Sequence, residues 1–324
     1  MSNCRHCEPA LAERRSHTGR RTLACAIFGP RLRTPVRTNL KASMSWPTLS
    51  NEDLKSYNPN TNTEWKVPLK HHVISFANQK GGVGKTTTCI NLAGALSEKG
   101  LSVLLVDMDY QGNLSQGVGL PDGFEKGTGE VLLFPEVSFR DIIHPSSIPN
   151  ADIAPANITL SKVDINIFDR KERHNILHNK LYEVRGNYDY VFIDCPPAFN
   201  LLTINALSTS DGIIIPIQSY PYSLAGLNTL LQIIDDIRYQ YNFELEIAGI
   251  LATAYDTNTK VAADVLQELH DRYGGKVFDT IIRKSVKVAE GPIHGQPIVQ
   301  YASSHPVANA YRELATEFLA RESH

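Results

Sequence analysis

Lys80-Gly81-Gly82-Val83-Gly84-Lys85-Thr86-Thr87 lies between a short apolar run, Val73–Ala77, and a helical stretch at 86–99 that ends at Gly100. A glycine-rich turn that leaves a strand and opens a helix is the setting a phosphate-binding loop requires. Glycines let the backbone curl so that successive N–H groups face phosphate oxygens. The helix that follows adds the positive end of its dipole. In this setting Lys85 reaches the β- and γ-phosphates and the Thr86 hydroxyl reaches Mg²⁺. The nucleotide-binding candidates are therefore the eight residues from Lys80 to Thr87. The strict G-x-x-x-x-G-K-[ST] pattern fails, because Gln79 holds its first glycine position and a second lysine, Lys80, follows.

Working outward, continuous apolar runs recur at Ser102–Asp107 (SVLLVD), Tyr190–Asp194 (YVFID), Gly212–Pro216 (GIIIP) and Ile247–Ala252 (IAGILA). Such runs are strands buried on both faces. Helical stretches near 171–185, 200–209, 222–240, 259–273 and 306–321 alternate with them. Repeated strand–helix units predict an α/β fold, a doubly wound and mostly parallel sheet flanked by helices. Asp194 ends a strand beside the loop, where it can hold Mg²⁺ through a water. Asp107 and Asp109 end the second strand on alternate faces.

The chain has 324 residues and a formal net charge of −2, which excludes a protein wrapped in nucleic acid over its whole surface and leaves room for a local basic patch. No run of about 18 apolar residues is present to span a membrane. Residues 1–43 hold nine basic and two acidic residues, leaving 23 basic against 32 acidic in 44–324. This leader reads either as a targeting peptide or as sequence upstream of a true start at Met44, and the second reading is preferred. Residues 44–72 are a polar linker and 73–324 the catalytic domain. The odd, irregularly spaced cysteines Cys4, Cys7, Cys25, Cys89 and Cys195 suit a reducing compartment. Cys4-Arg-His-Cys7 lacks the second ligand pair of a zinc site.

Asn78 to Thr88 (NQKGGVGKTTT) resembles the deviant Walker A loop of the ParA/MinD class of ATPases, and within it the Soj-like ParA partition ATPases. Asp107–Asn113 (DMDYQGN), Phe192–Pro197 (FIDCPP), Gly249–Asp256 and Ala289–Pro297 (AEGPIHGQP) also resemble family segments, so the similarity covers about 73–320. The resemblance implies an ATP- and Mg²⁺-dependent, slow, partner-stimulated ATPase. It implies a homodimer in the ATP state, non-specific binding of double-stranded DNA, a ParB-like activator and a cytoplasmic, nucleoid-associated location. Lys80 resembles the signature lysine that crosses the dimer to the other nucleotide. Asp109 is implied to orient the attacking water. Asp107 takes either of two readings, a place near the metal with Thr86 and Asp194, or a structural strand-end carboxylate.

Arg283, Lys284 and Lys287 cluster at the end of a predicted strand and are the DNA-binding candidates, with a solvated charge run as the other reading. Tyr110 replaces a usual proline, Gln218–Tyr222 lacks a common Glu, and Asn258 stands where some relatives have an Arg used for DNA binding. Chromosomal and plasmid partition both remain open, as does a non-DNA cargo. A MinD-like membrane ATPase would end in a basic amphipathic helix, whereas Ala310–His324 has no basic–apolar face. A nitrogenase-iron-protein type needs cluster cysteines at the dimer axis. A non-enzymatic DNA regulator needs an N-terminal helix-turn-helix, for which 44–72 is too short and polar.

Overall fold

Val73–Phe76 (β1) is buried at every residue, as the unbroken apolar run requires, and lies between two parallel neighbours. The computed structural model describes residues 72–121, 123–257 and 259–323. The readings of the leader, the linker before His72 and Asn258 lie outside the described residues.

The other strands are Val103–Asp107 (β2), His144–Pro145 (β3), Ala151–Ala154 (β4), Tyr190–Asp194 (β5), Gly212–Gln218 (β6) and Glu246–Thr253 (β7). They form one seven-stranded sheet in the order β3-β4-β2-β5-β1-β6-β7, parallel except for the two-residue β3. The helices are Lys85–Ser97 (α1), Asn113–Gly117 (α2), Thr128–Leu133 (α3), Val163–Asn166 (α4), Ile176–Leu181 (α5) and Leu201–Thr209 (α6). Then follow Pro221–Gln240 (α7), Lys260–Tyr273 (α8), Val286–Glu290 (α9), Ile298–Tyr301 (α10) and Pro306–Glu322 (α11). Short 3₁₀ turns join several of them.

Alternate strand residues feed two apolar layers. Val73, Leu104, Val106, Val191 and Ile193 face the layer that includes Leu207, Leu227 and Leu269 from α6, α7 and α8. Ile74, Phe76, Leu105 and Phe192 face the layer that includes Leu92 and Leu96 from α1 and Leu314 and Phe318 from α11. The doubly wound α/β architecture is thus the one its sequence predicts.

β1 and β2 are consecutive in the chain, yet β5 is inserted between them. A crevice for ligands opens where strand order reverses in this way, at the carboxyl ends of the strands. The register places Asp194 beside both Phe76 and Asp107, so the end of β1 and two carboxylates meet at that crevice.

Two expectations shift, and β4 is a strand the sequence reading does not contain. The helix near 171–185 shrinks to α5 with a 3₁₀ turn at Arg185–Asn187, because Glu172 takes the left-handed conformation at φ 56°. The strand expected before Arg283 is a segment held by two isolated bridges, Val277 to Ile250 in β7 and Arg283 to Tyr255 just beyond its end. It does not form a continuous ladder, since the amides of Asp279 and Thr280 donate instead to the Glu317 carboxylate, each at 2.9 Å. β4 is Ala-Asp-Ile-Ala, in which the charged Asp152 interrupts the apolar run that marks the other strands.

Candidate functional site

The glycine-rich loop is held from outside by side chains of three strand ends. Asn78 Nδ2 donates to the Pro216 carbonyl at 2.8 Å, and Asn78 Oδ1 accepts from the Lys80 amide at 3.0 Å. Gln218 Nε2 donates to the Gly82 carbonyl at 2.7 Å. Thr253 Oγ1 lies 2.7 Å from the Val83 carbonyl and 3.2 Å from that of Ile217. Gly84 has φ 89°, a left-handed turn that a Cβ would strain, and Thr253 approaches within 3.7 Å of where that Cβ would stand. With these carbonyls tied outward, the alternating backbone makes an anion nest that runs into the N-terminus of α1. Sequence reasoning misses Asn78 and Thr253 as supports. Their signal there is only a polar residue directly after each apolar strand run.

A cavity of about 590 Å³ opens over this loop and is lined by Gly81, Lys85, Thr86, Thr87, Asp109 and Asn113 among others. Lys85 is buried and its Nζ lies 3.4 Å from the Lys80 carbonyl. Thr86 Oγ1 donates to Asp194 Oδ2 at 2.6 Å. Asp194 is fully enclosed, and its Oδ1 has no hydrogen-bond partner. Burial pushes the Asp194 carboxyl well above the ordinary range, and the Asp107 charge adds to this, against the lowering effects of Thr86 and Lys85. An orphaned, buried carboxylate oxygen beside a threonine hydroxyl fits Mg²⁺, which takes one or two carboxylates and completes its shell with phosphates and water.

Asp107 faces a different set of partners. Its Oδ2 accepts from the Ser115 amide at 2.9 Å and hydroxyl at 2.7 Å, and its Oδ1 accepts from the Asp109 amide at 3.1 Å. Burial raises its carboxyl to about 6 despite the Ser115 and Asp109 hydrogen bonds. These contacts make Asp107 the anchor of the turn that carries Asp109. Asp109 Oδ1 accepts from the Gln111 amide at 3.1 Å, and Asp109 lines the phosphate cavity.

Lys80 is absent from that cavity's lining. Its Nζ donates to the Tyr222 carbonyl in the first turn of α7 at 2.7 Å. Arg283 and Lys284 are exposed and border a second cavity of about 270 Å³ on the other side of the loop, lined also by Gly82, Thr87, Thr253 and Tyr311. Lys287, on α9, is paired with Glu290 at 2.7 Å. The three cations expected to act together are thus split between a cavity rim and an ion pair. Cys89 and Cys195 are buried thiols in opposite apolar layers, raised by burial before any other cause.

Loop, helix N-terminus, strand-end carboxylate and switch-point crevice together define a P-loop ATPase. A family model described as an AAA domain matches residues 71–247. The chromosome-partitioning ATPase Soj of Treponema pallidum is 40% identical over 77% of this chain and 97% of its own length. The chromosome partitioning protein ParA of Caulobacter vibrioides is 38% identical over 79% of this chain and 96% of its own length. Among solved structures, cobyrinic acid a,c-diamide synthase from Mycobacterium smegmatis with bound ADP and magnesium is 34% identical. That match covers 76% of this chain and 94% of the other, with a TM-score of 0.67. The chain belongs to the ParA (Soj) family of P-loop ATPases.

Proposed function

We propose that this chain is an ATP-dependent DNA-partitioning ATPase that works as a nucleotide-closed homodimer. The observation that carries the proposal is the position of Lys80. A lysine within the phosphate loop whose ammonium rests on α7, and not in its own cavity, supports a role at a second copy's phosphate.

Within each chain, the loop amides and Lys85 bind the β- and γ-phosphates of ATP. Thr86 and Asp194 would hold the magnesium, with Asp107 behind them fixing the Asp109 turn. Magnesium, when bound, neutralises charge on the phosphate oxygens. Asp109 positions the attacking water by accepting a hydrogen bond from its O–H. Lys80 from the second copy stabilises charge on the transferring phosphoryl group, as an arginine finger does. The second cavity, with Tyr311 in its lining, suits the apolar faces of a purine base.

Closure doubles the exposed cations on one assembly. Arg283, Lys284 and Lys287 then contact DNA phosphates without reading bases. A ParB-like partner stimulates hydrolysis and release, and the cycle moves a DNA cargo in the nucleoid. The MinD-like alternative is not favoured by α11, whose apolar residues Tyr311, Leu314 and Phe318 are buried in the domain. Among the described residues no helix is long and apolar enough to cross a membrane.

The test is sedimentation of the full chain with ADP, ATP and a non-hydrolysable analogue, with and without random-sequence duplex DNA. Dimer and DNA binding should appear only with the triphosphates. A monomer in every nucleotide state would reject the proposal.

A further inference from the structure

Gly226 sits inside α7, where glycine weakens a helix relative to alanine and therefore asks for a reason in packing. A Cβ built at Gly226 would meet Lys80, with Cε at 3.2 Å and Nζ at 3.7 Å. The same lysine donates to the carbonyl of Tyr222, one helical turn before Gly226. The aliphatic stem of Lys80 thus lies over the bare glycine while its head reaches the first-turn carbonyl. A Cβ contact at 3.2 Å is tighter than ordinary packing, so even alanine asks the stem to give by a few tenths of an ångström, and a longer side chain would occupy the groove itself.

The hold is weak by construction. A cation near the N-terminal end of a helix is opposed by the helix dipole. One hydrogen bond to an exposed carbonyl shifts a population by only about twofold to tenfold. Such a contact can define a resting place and still release the side chain when a stronger anion arrives.

We propose that Gly226 is a positioning residue for Lys80. Its missing side chain forms a groove on α7 in which Lys80 rests in the single chain, and from which it is handed to phosphate bound by a second copy. The hand-over rests on the cross-dimer role of Lys80 proposed above, whereas the groove rests on the contacts within one chain.

The test is brief acetylation of the full-length, nucleotide-free protein with acetic anhydride, read at Lys80 by peptide mass spectrometry. The exposed Lys99 serves as the internal reference. Gly226→Leu, whose side chain fills the groove, should raise Lys80 labelling about fivefold, the factor expected for losing one such hydrogen bond. Leucine favours the helix over glycine, so the backbone change does not oppose folding. An unchanged Lys80-to-Lys99 ratio would overturn the groove. A purely structural role for Gly226 would move the melting temperature without moving this ratio. With ATP, the variant should also dimerise at a lower protein concentration, because Lys80 no longer has to be withdrawn, and a higher threshold would overturn the hand-over. ATP should protect Lys80 in the wild type. No protection, with the fivefold contrast intact, would remove the cross-dimer role and the hand-over while the groove stands.

Discussion

The Thr86 hydroxyl donates to Asp194 Oδ2 at 2.6 Å and so joins the first turn of α1 to the last residue of β5. This one contact leaves Asp194 Oδ1 buried and without a hydrogen-bond partner. A carboxylate in that position is costly when charged, and its raised affinity for a proton follows first from burial and then from Asp107. Magnesium binding and ionisation of Asp194 are therefore linked.

Asp194→Asn keeps the size of the side chain and removes its charge. Nucleotide binding in EDTA should change little, while the gain in affinity on adding Mg²⁺ should shrink by at least about tenfold, the scale of a lost charged interaction. Titration of a fluorescent ATP analogue with and without Mg²⁺ measures this. A variant that keeps the whole Mg²⁺ effect would show that Asp194 does not hold the metal.

The two loop lysines should separate cleanly. Lys85→Ala takes away a direct phosphate partner and should weaken ATP binding by about tenfold or more. Lys80→Ala should keep single-chain ATP affinity and abolish partner-stimulated hydrolysis, since Lys80 rests on α7 and outside its own cavity. Single-turnover hydrolysis alongside binding titrations distinguishes them. Wild-type stimulated turnover in Lys80→Ala would end the cross-dimer assignment.

Much of this site is legible in the sequence because each part follows an apolar run whose end is unmistakable. The phosphate loop follows Ala77, Asp107 closes SVLLVD and Asp194 closes YVFID. What the sequence hides is which carboxylate keeps an unpartnered oxygen. Asp107 and Asp194 look alike as strand ends, and only the hydrogen bonds from Ser115, eight residues along, show that Asp107 is already engaged. The resting place of Lys80 is hidden for the same reason, since Tyr222 and Gly226 lie more than a hundred residues away. The segment from Val277 to Arg283 reads as a strand by its apolar residues, but a single distant glutamate, Glu317, withdraws two of its amides from the ladder.

Asp109→Ala should bind ATP and close but stop before hydrolysis, because the group that positions water is gone while the loop and the Thr86–Asp194 pair are untouched. It should accumulate as an ATP-bound dimer in size-exclusion runs at concentrations where the parent cycles back to monomer. A monomeric variant with normal ATP affinity would count against this role.

Replacing both Lys284 and Lys287 by Ala should weaken ATP-dependent DNA binding on every sequence. The slope of log affinity against log salt should flatten by about 0.9 for each DNA phosphate that is no longer neutralised. Dimerisation should persist. Lys284 also borders the cavity beside the loop, so ATP affinity is the needed control. If DNA binding returns at saturating ATP, Lys284 serves the nucleotide and the DNA face lies elsewhere.

Asp107 gives the last prediction, on stability against pH. Its carboxyl is raised from 3.8 to about 6 by burial, so between those values the folded chain holds a proton that the unfolded chain has released. Its contribution to stability is full below the unfolded value, falls as pH rises, and is lost above about 6. A shift of about two pH units corresponds to a change on the order of 3 kcal/mol at most across that window. Asp107→Asn cannot titrate, so the difference in stability between it and the parent should move in the variant's favour as pH rises through this range. The amide replaces one acceptor with a donor facing Ser115, which lowers the variant's stability at every pH without changing the slope. Urea unfolding of both proteins from pH 4 to 8, without nucleotide or Mg²⁺, measures that slope (a pH range chosen on the order of the two carboxyl values). Parallel stability curves for the two proteins would show that Asp107 stays ionised throughout and that the hydrogen bonds from Ser115 and Asp109 outweigh its burial.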